Sequence, residues 1–165
     1  MASRTELELQ LRDHWPRLRR FAYALSRNAA DADDLVQDVA MRAMASCAQW
    51  QAGTRFDSWI FRITRNRWID TVRSRRGREK YLAPETEGET VGHDPRAGIE
   101  AAIDLGTAMK ALQQLPEEQR EVVALVLIDG FGYREAAELL DLPIGTISSR
   151  LARGRMALMT ILGEE

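Results

Sequence analysis

Apolar residues recur every three or four positions along most of this chain, and no stretch alternates apolar and polar residues with a period of two. The first spacing lines one face of an α-helix, whereas a half-buried strand needs the second. The pattern therefore predicts an all-α protein without a β-sheet. The length of 165 residues allows one ordinary domain or two small ones.

The helical spacing is interrupted over residues 82–98, where large apolar residues are few. Proline, glycine and acidic residues take their place, among them Pro84, Gly88, Gly92, Pro95 and Gly98. This composition is typical of a flexible connection between domains. We therefore expect two small helical domains, at 1–80 and 105–165, joined by a flexible acidic linker at 81–104. Domains of this size would gain from docking onto a larger partner.

In the first domain, the spacing predicts a short helix around Leu7 and Leu11. We expect it to end at Trp15-Pro16, because proline suits the first turn of a new helix. Asp31 is the predicted N-cap of the next helix, and a long helix is predicted from Phe56 to Arg78. The second domain should hold a helix ending near Leu112, then one opening at Leu115-Pro116 and ending at Asp129-Gly130.

The most specific local pattern comes near the end of the chain. A short helix at 133–140, a turn with Pro143 and a longer helix at 144–162 form a helix-turn-helix pattern. The predicted buried stripe of the longer helix is Ile147, Leu151, Leu158 and Ile161. A helical hairpin with a solvated arginine face would give the same spacing, so this pattern alone does not fix the function.

Hydroxyl and guanidinium groups lie off the buried stripe of that longer helix. Such groups suit the base edges and phosphates of a DNA major groove. Gly145 begins the helix, and backbone N–H groups at a helix start suit a phosphate. The side chains concerned are Thr146, Ser149, Arg150 and Arg153.

The formal net charge of −2 conceals an uneven distribution: residues 1–80 carry +6, residues 81–104 carry −5 and residues 105–165 carry −3. Residues 62–80 hold eight basic groups against two acids. Because phosphate neutralisation supplies most non-specific DNA affinity, small basic faces on a near-neutral chain predict weak binding to DNA without a partner.

Aromatic residues are interleaved with the basic stretch, a combination that suits DNA strands whose bases are freed from the duplex. Phe56 and Trp59 share the helical spacing of the core and are expected inside. Trp50, at a helix–loop junction, is the better candidate for stacking on a base. Asn66, among arginines, is a candidate for a hydrogen bond to a base edge.

Several classes of protein are disfavoured. The polar start of the chain is unlike a signal peptide, and the longest apolar run, 122–128, is too short to span a bilayer, so we expect a cytoplasmic protein. One cysteine, Cys47, and two histidines, His14 and His93, offer no zinc spacing, and we expect no cofactor. The carboxylates at 33–38 lack a second cluster and are expected to begin a helix rather than to form an active site.

Two blocks of sequence now carry a family resemblance. The first comprises Asp33-Asp-Leu-Val-Gln-Asp38, Phe56-Asp-Ser-Trp-Ile-Phe-Arg-Ile-Thr-Arg-Asn66, Asp70 and Arg73, and the second comprises 112–123 and Gly132–Arg155. In this order and with this gap they resemble the two conserved domains of extracytoplasmic-function (ECF) sigma factors of the sigma-70 superfamily. The chain also resembles the general-stress branch of that group.

The resemblance implies a subunit that binds core RNA polymerase, recognises promoters and helps to open the DNA. It implies a sigma2-like bundle at 1–80 and a sigma4-like helix-turn-helix domain at 105–165. The residues it places on the β′ clamp helices of the polymerase are Asp34, Leu35, Gln37 and Asp38. Those it places on the minus-10 element are Trp50, Gln51, Ala52, Gly53, Thr54, Arg55 and Asn66. Those it places on the minus-35 element are Thr146, Ser149, Arg150, Arg153 and Arg155.

The resemblance further implies contact with the polymerase β flap, a linker that threads polymerase channels, and an anti-sigma factor as a second partner. It implies neither an enzymatic activity nor a small-molecule substrate. The loop 51–55 is not acidic as in some relatives, which leaves its base preference open. Two alternatives remain: a stand-alone dimeric helix-turn-helix regulator, which would need no melting surface, and an enzyme acting on DNA, for which no nucleophile or metal cluster is evident.

Overall fold

A computed structural model describes residues 2–79 and 99–163, with the backbone alone for Glu79 and for 99–104. Every regular element within these residues is helical, which confirms the all-α prediction. The chain divides into two compact units, Met1–Val91 and Gly92–Glu165. Residues 81–98 of the expected linker lie outside the described residues, whereas 99–104 belong to a helix. No helix in the described ranges is long and apolar enough to cross a membrane.

Unit 1 is a bundle of three helices that all pack on one another: α1, Arg4–Ser26; α2, Ala29–Ala45; and α3, Phe56–Glu79. A 3₁₀ turn, Cys47–Gln49, follows α2. Each helix buries one apolar stripe, as its sequence spacing predicts. The largest fully buried side chains of this unit are Leu7, Leu18, Phe21, Val36, Val39, Ile60 and Phe61.

The predicted break at Trp15-Pro16 is wrong, since α1 continues through Pro16. Proline removes one backbone hydrogen bond, to the carbonyl of Arg12, and both residues lie on the exposed side of the helix. Water can therefore satisfy that carbonyl. The apolar stripe on the other side, from Leu7 through Leu18 to Phe21, runs past the proline and keeps the two halves in one helix.

The N-cap of α2 is Asn28 and not, as predicted, Asp31. The Asn28 side-chain oxygen accepts a hydrogen bond from the backbone N–H of Asp31 at 3.0 Å, as an N-cap does for the third residue of a helix. Asp31 thus lies in the first turn, where the helix dipole favours its negative charge.

Unit 2 comprises α4, Ile99–Leu112; α5, Glu117–Val123; α6, Tyr133–Leu140; and α7, Ile144–Leu162. A π-helical turn, Ala124–Ile128, extends α5, and Gly130 with φ of +75° follows it. These bounds confirm the helices predicted for this half. Helix α7 packs on α4, α5 and α6, so it organises the unit.

The buried stripe of α7 is shorter than predicted. Ile147 and Leu151 are buried, but Leu158 is only half-buried and Ile161 is exposed. The buried stripe instead includes Gly154, which the prediction overlooked. A Cβ on Gly154 would lie 2.6 Å from Val123 Cγ2 and 3.4 Å from Gln119 Cβ, so α5 and α7 approach closely at this position.

Replacing Gly154 with alanine should therefore destabilise unit 2. We expect the free energy of unfolding to fall by about 1–3 kcal/mol, the usual cost of overpacking. All four tryptophans lie in unit 1, so circular dichroism follows both units while tryptophan fluorescence follows unit 1 alone. The variant should lower the urea midpoint of unit 2, which is seen in the dichroism signal. The midpoint of unit 1, which is seen in the fluorescence signal, should not change.

Gly145→Ala is the matched control, because it lies in the same helix with nothing within 4 Å of the added Cβ. Its effect should stay within about 1 kcal/mol. Equal destabilisation by the two variants would contradict the close approach of α5 and α7.

Candidate nucleic-acid interface

Helix α3 presents a polar stripe on the side away from the core. Arg62, Asn66, Asp70 and Arg73 recur at helical spacing and are exposed, whereas Ile60, Phe61, Thr64 and Trp68 are buried. The Thr64 hydroxyl donates to the carbonyl of Ile60 at 2.8 Å, so its burial leaves no unsatisfied group. Asn66 is thus exposed, with arginines before and after it in the sequence, and its contact with a base edge stays a prediction.

The loop that precedes α3, Gln51–Arg55, is exposed along its whole length. The backbone N–H of Thr54 and its hydroxyl both donate to the carbonyl of Gln51, at 3.1 and 2.6 Å, and close a tight turn. Gly53 adopts a φ of +89°, which suits a residue without Cβ. The loop therefore offers its side chains outward from a defined turn.

Trp50 is not the exposed stacking surface that its sequence position predicted. Its side chain is 3% exposed, with the ring edge-on to Phe56 at 5.2 Å and stacked with Trp59 at 6.3 Å. The His14 ring of α1 also packs against Phe56, with 5.0 Å between the ring centroids. The stacking prediction for Trp50 failed because its ring packs inside an aromatic cluster. Trp59, which was expected to be buried, is only half-buried. Trp50 therefore packs beside the start of the loop.

A charged network that sequence reasoning missed fixes the end of this loop. Arg55 donates two hydrogen bonds to Asp57, from Nε to Oδ1 at 3.1 Å and from Nη2 to Oδ2 at 2.8 Å. The backbone N–H of Ser58 donates to Oδ1 at 2.8 Å, and Arg17 Nη1 of α1 lies 3.8 Å from Oδ2. The sequence signal that could have revealed it is an Arg-x-Asp pattern at the start of a helix.

Burial raises the pKa of Asp57, but hydrogen bonds from Arg55 and Ser58 and the charges of Arg55 and Arg17 outweigh it. The pKa of this carboxyl is therefore held below its ordinary value. Asp57 is charged at neutral pH and ties the loop to the start of α3 and to α1.

The four residues predicted to bind the polymerase on α2 differ in exposure. Asp34 and Gln37 are exposed, whereas Leu35 is buried at 5% and belongs to the core of the bundle. Asp38 is half-buried and pairs with Arg67 of α3 and with Arg42 at 3.2 Å. Met41, one turn beyond Gln37, is 73% exposed and was missed, although helical spacing would have included it.

In unit 2, Thr146, Ser149, Arg150 and Arg153 share one face of α7. Arg153 Nη2 donates to Ser149 Oγ at 3.4 Å, and Ser149 Oγ donates to the carbonyl of Thr146 at 3.1 Å. Arg150 is half-buried, with Nη2 3.9 Å from Glu118 Oε2. Arg155 is exposed, but nine positions of helix put it about 180° from Thr146, on the other side.

The side chains that the structure describes contain no cluster of three or more His, Cys, Asp or Glu that could hold a metal ion. The described residues instead form three exposed surfaces: the polar stripe of α3 with the loop before it, a mixed face on α2 and a polar face on α7.

Comparison with known proteins identifies both units. Residues 11–78 match the family model described as Sigma-70 region 2, and residues 105–158 match Sigma-70, region 4. The ECF RNA polymerase sigma factor EcfG of Rhodopseudomonas palustris is 40% identical over 147 residues, which cover 89% of this chain and 80% of that protein. The chain belongs to the ECF RNA polymerase sigma factors.

Two solved sigma-factor structures agree. The sigma factor RpoE in complex with the anti-sigma factor NepR from Bartonella quintana has a TM-score of 0.80 and 36% identity, covering 94% of this chain and 96% of that one. CnrH in complex with the cytosolic domain of CnrY has a TM-score of 0.68 and 25% identity, covering 98% and 90%. The predicted function as a sigma factor is thereby confirmed, while the individual contact residues stay predictions.

The charge of Asp57 should stabilise unit 1 of this sigma factor at neutral pH. We expect Asp57→Asn to lower the free energy of unfolding by about 1 kcal/mol, because the variant loses charge-assisted hydrogen bonds. The contribution of a carboxyl with a lowered pKa is complete above the unfolded value of about 3.9 and is lost as the pH falls through the folded value. The difference between the two proteins should therefore shrink as the pH falls below about 4.

Urea unfolding followed by tryptophan fluorescence measures this difference in unit 1. Asp70→Asn, at an exposed position of the same helix, is the control and should change the midpoint little. A difference for Asp57→Asn that does not shrink as the pH falls below about 4 would show that shape and not charge is responsible.

Proposed function

We propose that this ECF sigma factor docks on core RNA polymerase through α2, contacts the minus-10 element through the loop 51–55 and α3, and contacts the minus-35 element through α7. One observation supports the proposal above all. The three exposed polar faces lie within the segments that match Sigma-70 region 2 and region 4. The proposed subunit is not an enzyme, and it acts in the cytoplasm, where the polymerase is.

On α2, the proposed polymerase contacts are Asp34, Gln37 and Asp38. These two carboxylates and one amide lie before the exposed, apolar Met41 on the same helix. This face of α2 is therefore polar toward its N-terminal end and apolar toward its C-terminal end. Such a face suits a partner helix that offers cations and an apolar ridge. Leu35 contributes from the core, by fixing the packing of α2.

On α3, the proposed minus-10 surface extends from the loop to Asn66. The loop ends where α3 begins, at Phe56, and Asn66 lies ten residues further on, about 15 Å along the helix axis. A DNA strand that contacts both the loop and Asn66 must therefore run along α3. Arg62 lies between them and is exposed, which suits a phosphate contact. Trp50 is proposed to hold the loop rather than to stack on a base.

On α7, the proposed minus-35 surface is the face that carries Thr146, Ser149, Arg150 and Arg153. The first turn of α7 follows Pro143, and no side chain caps it. The N–H of Thr146 donates to the carbonyl of Pro143 at 3.0 Å, so the N–H groups proposed to meet a phosphate are those of Ile144 and Gly145. Arg155, on the other side of the helix, is proposed to contact DNA backbone and not a base.

We also propose an anti-sigma factor as a partner, contact with the polymerase β flap by unit 2, and a place in the general-stress branch. The complex of the related RpoE with an anti-sigma factor supports the first. Exposed apolar side chains on α7, Met156 at 72% among them, support a protein partner for unit 2. Copurification from the source organism before and after stress would test the partners and the branch.

The first test is initiation with purified chain and bacterial core polymerase on a promoter library, with the transcripts sequenced. The wild-type chain should give promoter-specific initiation, and Asp34→Lys should weaken polymerase binding by about tenfold, since it places a like charge against the partner's cations. Asp13→Lys, at an exposed position of α1, is the control and should bind normally. Tight duplex binding by a dimeric chain without stimulation would instead favour a stand-alone regulator.

The second test concerns Arg150. If it contacts a base, Arg150→Ala should cost about 1–3 kcal/mol of promoter binding and relax specificity at the minus-35 element. The measurement compares promoters recovered from the library with the same promoters carrying a scrambled minus-35 element. Lys110→Ala, exposed on α4, should leave the preference intact. If the wild-type chain and the variant both initiate equally well on the intact and the scrambled promoters, Arg150 does not recognise the minus-35 sequence.

A further inference from the structure

Arg150 lies at the edge of the α7 face that is proposed to meet DNA. Successive residues of an α-helix turn by about 100°, so Arg150 lies about 40° from Thr146 on one side and about 40° from Gly154 on the other. Gly154 is buried against α5. The Arg150 side chain is accordingly 22% exposed, less than that of a free surface arginine. Its guanidinium therefore lies where the polar face of α7 meets the packing between α5 and α7.

A carboxylate of α5 reaches this guanidinium. Glu118 lies in the first turn of α5, and its Oε2 is 3.9 Å from Arg150 Nη2. The distance is that of an ion pair and is too long for a direct hydrogen bond. Among the residues that the structure describes, Glu118 is the one carboxylate paired with Arg150. Glu118 therefore acts on Arg150 through its charge.

The close approach of α5 and α7 at Gly154 brings the two charges together. Gly154 follows Arg150 by one turn on nearly the same side of α7. The residue after Glu118 is Gln119, whose Cβ and carbonyl oxygen would lie 3.4 and 3.6 Å from a Cβ on Gly154. The start of α5 is thus packed against the turn of α7 that follows Arg150. The pair is fixed by the packing of unit 2 and is not a chance contact between two long surface side chains.

The other arginine of this face has a different kind of partner. Arg153 Nη2 donates to Ser149 Oγ, a neutral hydroxyl of the same helix. Arg150 is instead paired with a charge on another helix. Loss of the Glu118 charge would therefore act on Arg150 and leave the contact between Arg153 and Ser149 in place.

An arginine near a DNA duplex has two kinds of partner. Base edges differ between sequences, whereas phosphates are the same in every sequence. A guanidinium that moves freely binds phosphates of any sequence and adds non-specific affinity. A guanidinium that is already held in place loses less conformational entropy when it meets a base edge. Restraint of Arg150 therefore favours one DNA sequence over the others.

We propose that Glu118 is a specificity-determining residue that acts through Arg150: its carboxylate holds the guanidinium at the edge of the α7 face, in position for a base and away from the phosphates of other sequences. The proposal rests on the minus-35 contact proposed above for Arg150. The Glu118 side chain is 72% exposed, so the pair adds little to the stability of unit 2. Removal of the carboxylate should therefore change DNA recognition and not folding.

The first experiment measures the restraint in the full chain, without DNA and without polymerase. NMR relaxation of the Arg150 Nε–H group gives an order parameter for the guanidinium. Glu118→Gln should lower this order parameter. Glu117→Gln is the matched control, because it removes the same charge from the same turn of α5, and it should leave the order parameter unchanged. Equal order parameters in the wild-type chain and in Glu118→Gln would overturn the proposal.

The second experiment measures recognition with the full chain and core polymerase. Initiation is compared on a promoter from the library and on the same promoter with a scrambled minus-35 element, and the ratio of the two is the discrimination. Glu118→Gln should lower the discrimination about 2- to 5-fold, the size expected of a solvent-screened charge pair at this distance. Glu117→Gln should change it by less than about 1.5-fold. Glu118→Asp keeps the charge on a shorter side chain and should fall between the wild-type chain and Glu118→Gln.

Thermal melts followed by circular dichroism establish whether each variant is folded at the assay temperature. Should Glu118→Gln not be folded, Glu118→Ala decides the outcome, with Glu117→Ala as its control. The same two measurements and the same expected results apply to that pair of variants.

Arg150→Ala separates an effect through Arg150 from a direct effect of the Glu118 charge on DNA. In the Arg150→Ala background, Glu118→Gln should not change the discrimination further. A loss that persists in that background, or an equal loss in Glu117→Gln, would overturn the proposal. If Arg150→Ala alone leaves the discrimination unchanged, the minus-35 contact proposed for Arg150 is wrong, and the role of Glu118 is wrong with it. If Arg150→Ala lowers the discrimination and Glu118→Gln does not, the contact stands and only the role of Glu118 is wrong.

Discussion

The rings of Phe21 and Phe61 stack at 4.9 Å and join α1 to α3 at the centre of unit 1. Both side chains are fully buried, and the stripe that contains Phe61 fixes the rotation of α3 about its axis. Once that rotation is set, the 3.6-residue period leaves Arg62, Asn66 and Arg73 exposed and turns Arg67 and Arg75 toward α2. The distribution of charge on this helix is thus a consequence of packing an aromatic core.

The same dependence holds at the loop. Phe56 begins α3 and is also part of the aromatic cluster with Trp50, so the position of α3 sets the position of the turn before it. Asp57 adds a second, electrostatic attachment through Arg55 and Arg17. A flexible loop loses conformational entropy when it binds a partner, and these two attachments would reduce that loss for the DNA contact proposed for the loop 51–55.

Much of this architecture could be predicted from the sequence, because apolar spacing decides which face of a helix is buried. The helices beginning at Phe56, Tyr133 and Ile144 are found where that spacing puts them. Spacing failed where a tertiary contact overrides local preference: α1 continues through Pro16 because the core holds both halves together. The ion pair of Asp31 with Arg75 joins residues 44 positions apart, and only the packed bundle determines which arginine meets which carboxylate.

Each unit builds its core from its own helices, and this has a consequence for synthesis. Domains fold as units as they leave the ribosome, at about 5–20 residues per second, so unit 1 can complete its bundle while the chain of unit 2 is still being made. A nascent chain therefore displays the α2 face several seconds before a complete α7 exists, and a partner that recognises α2 alone can engage the protein before its translation ends.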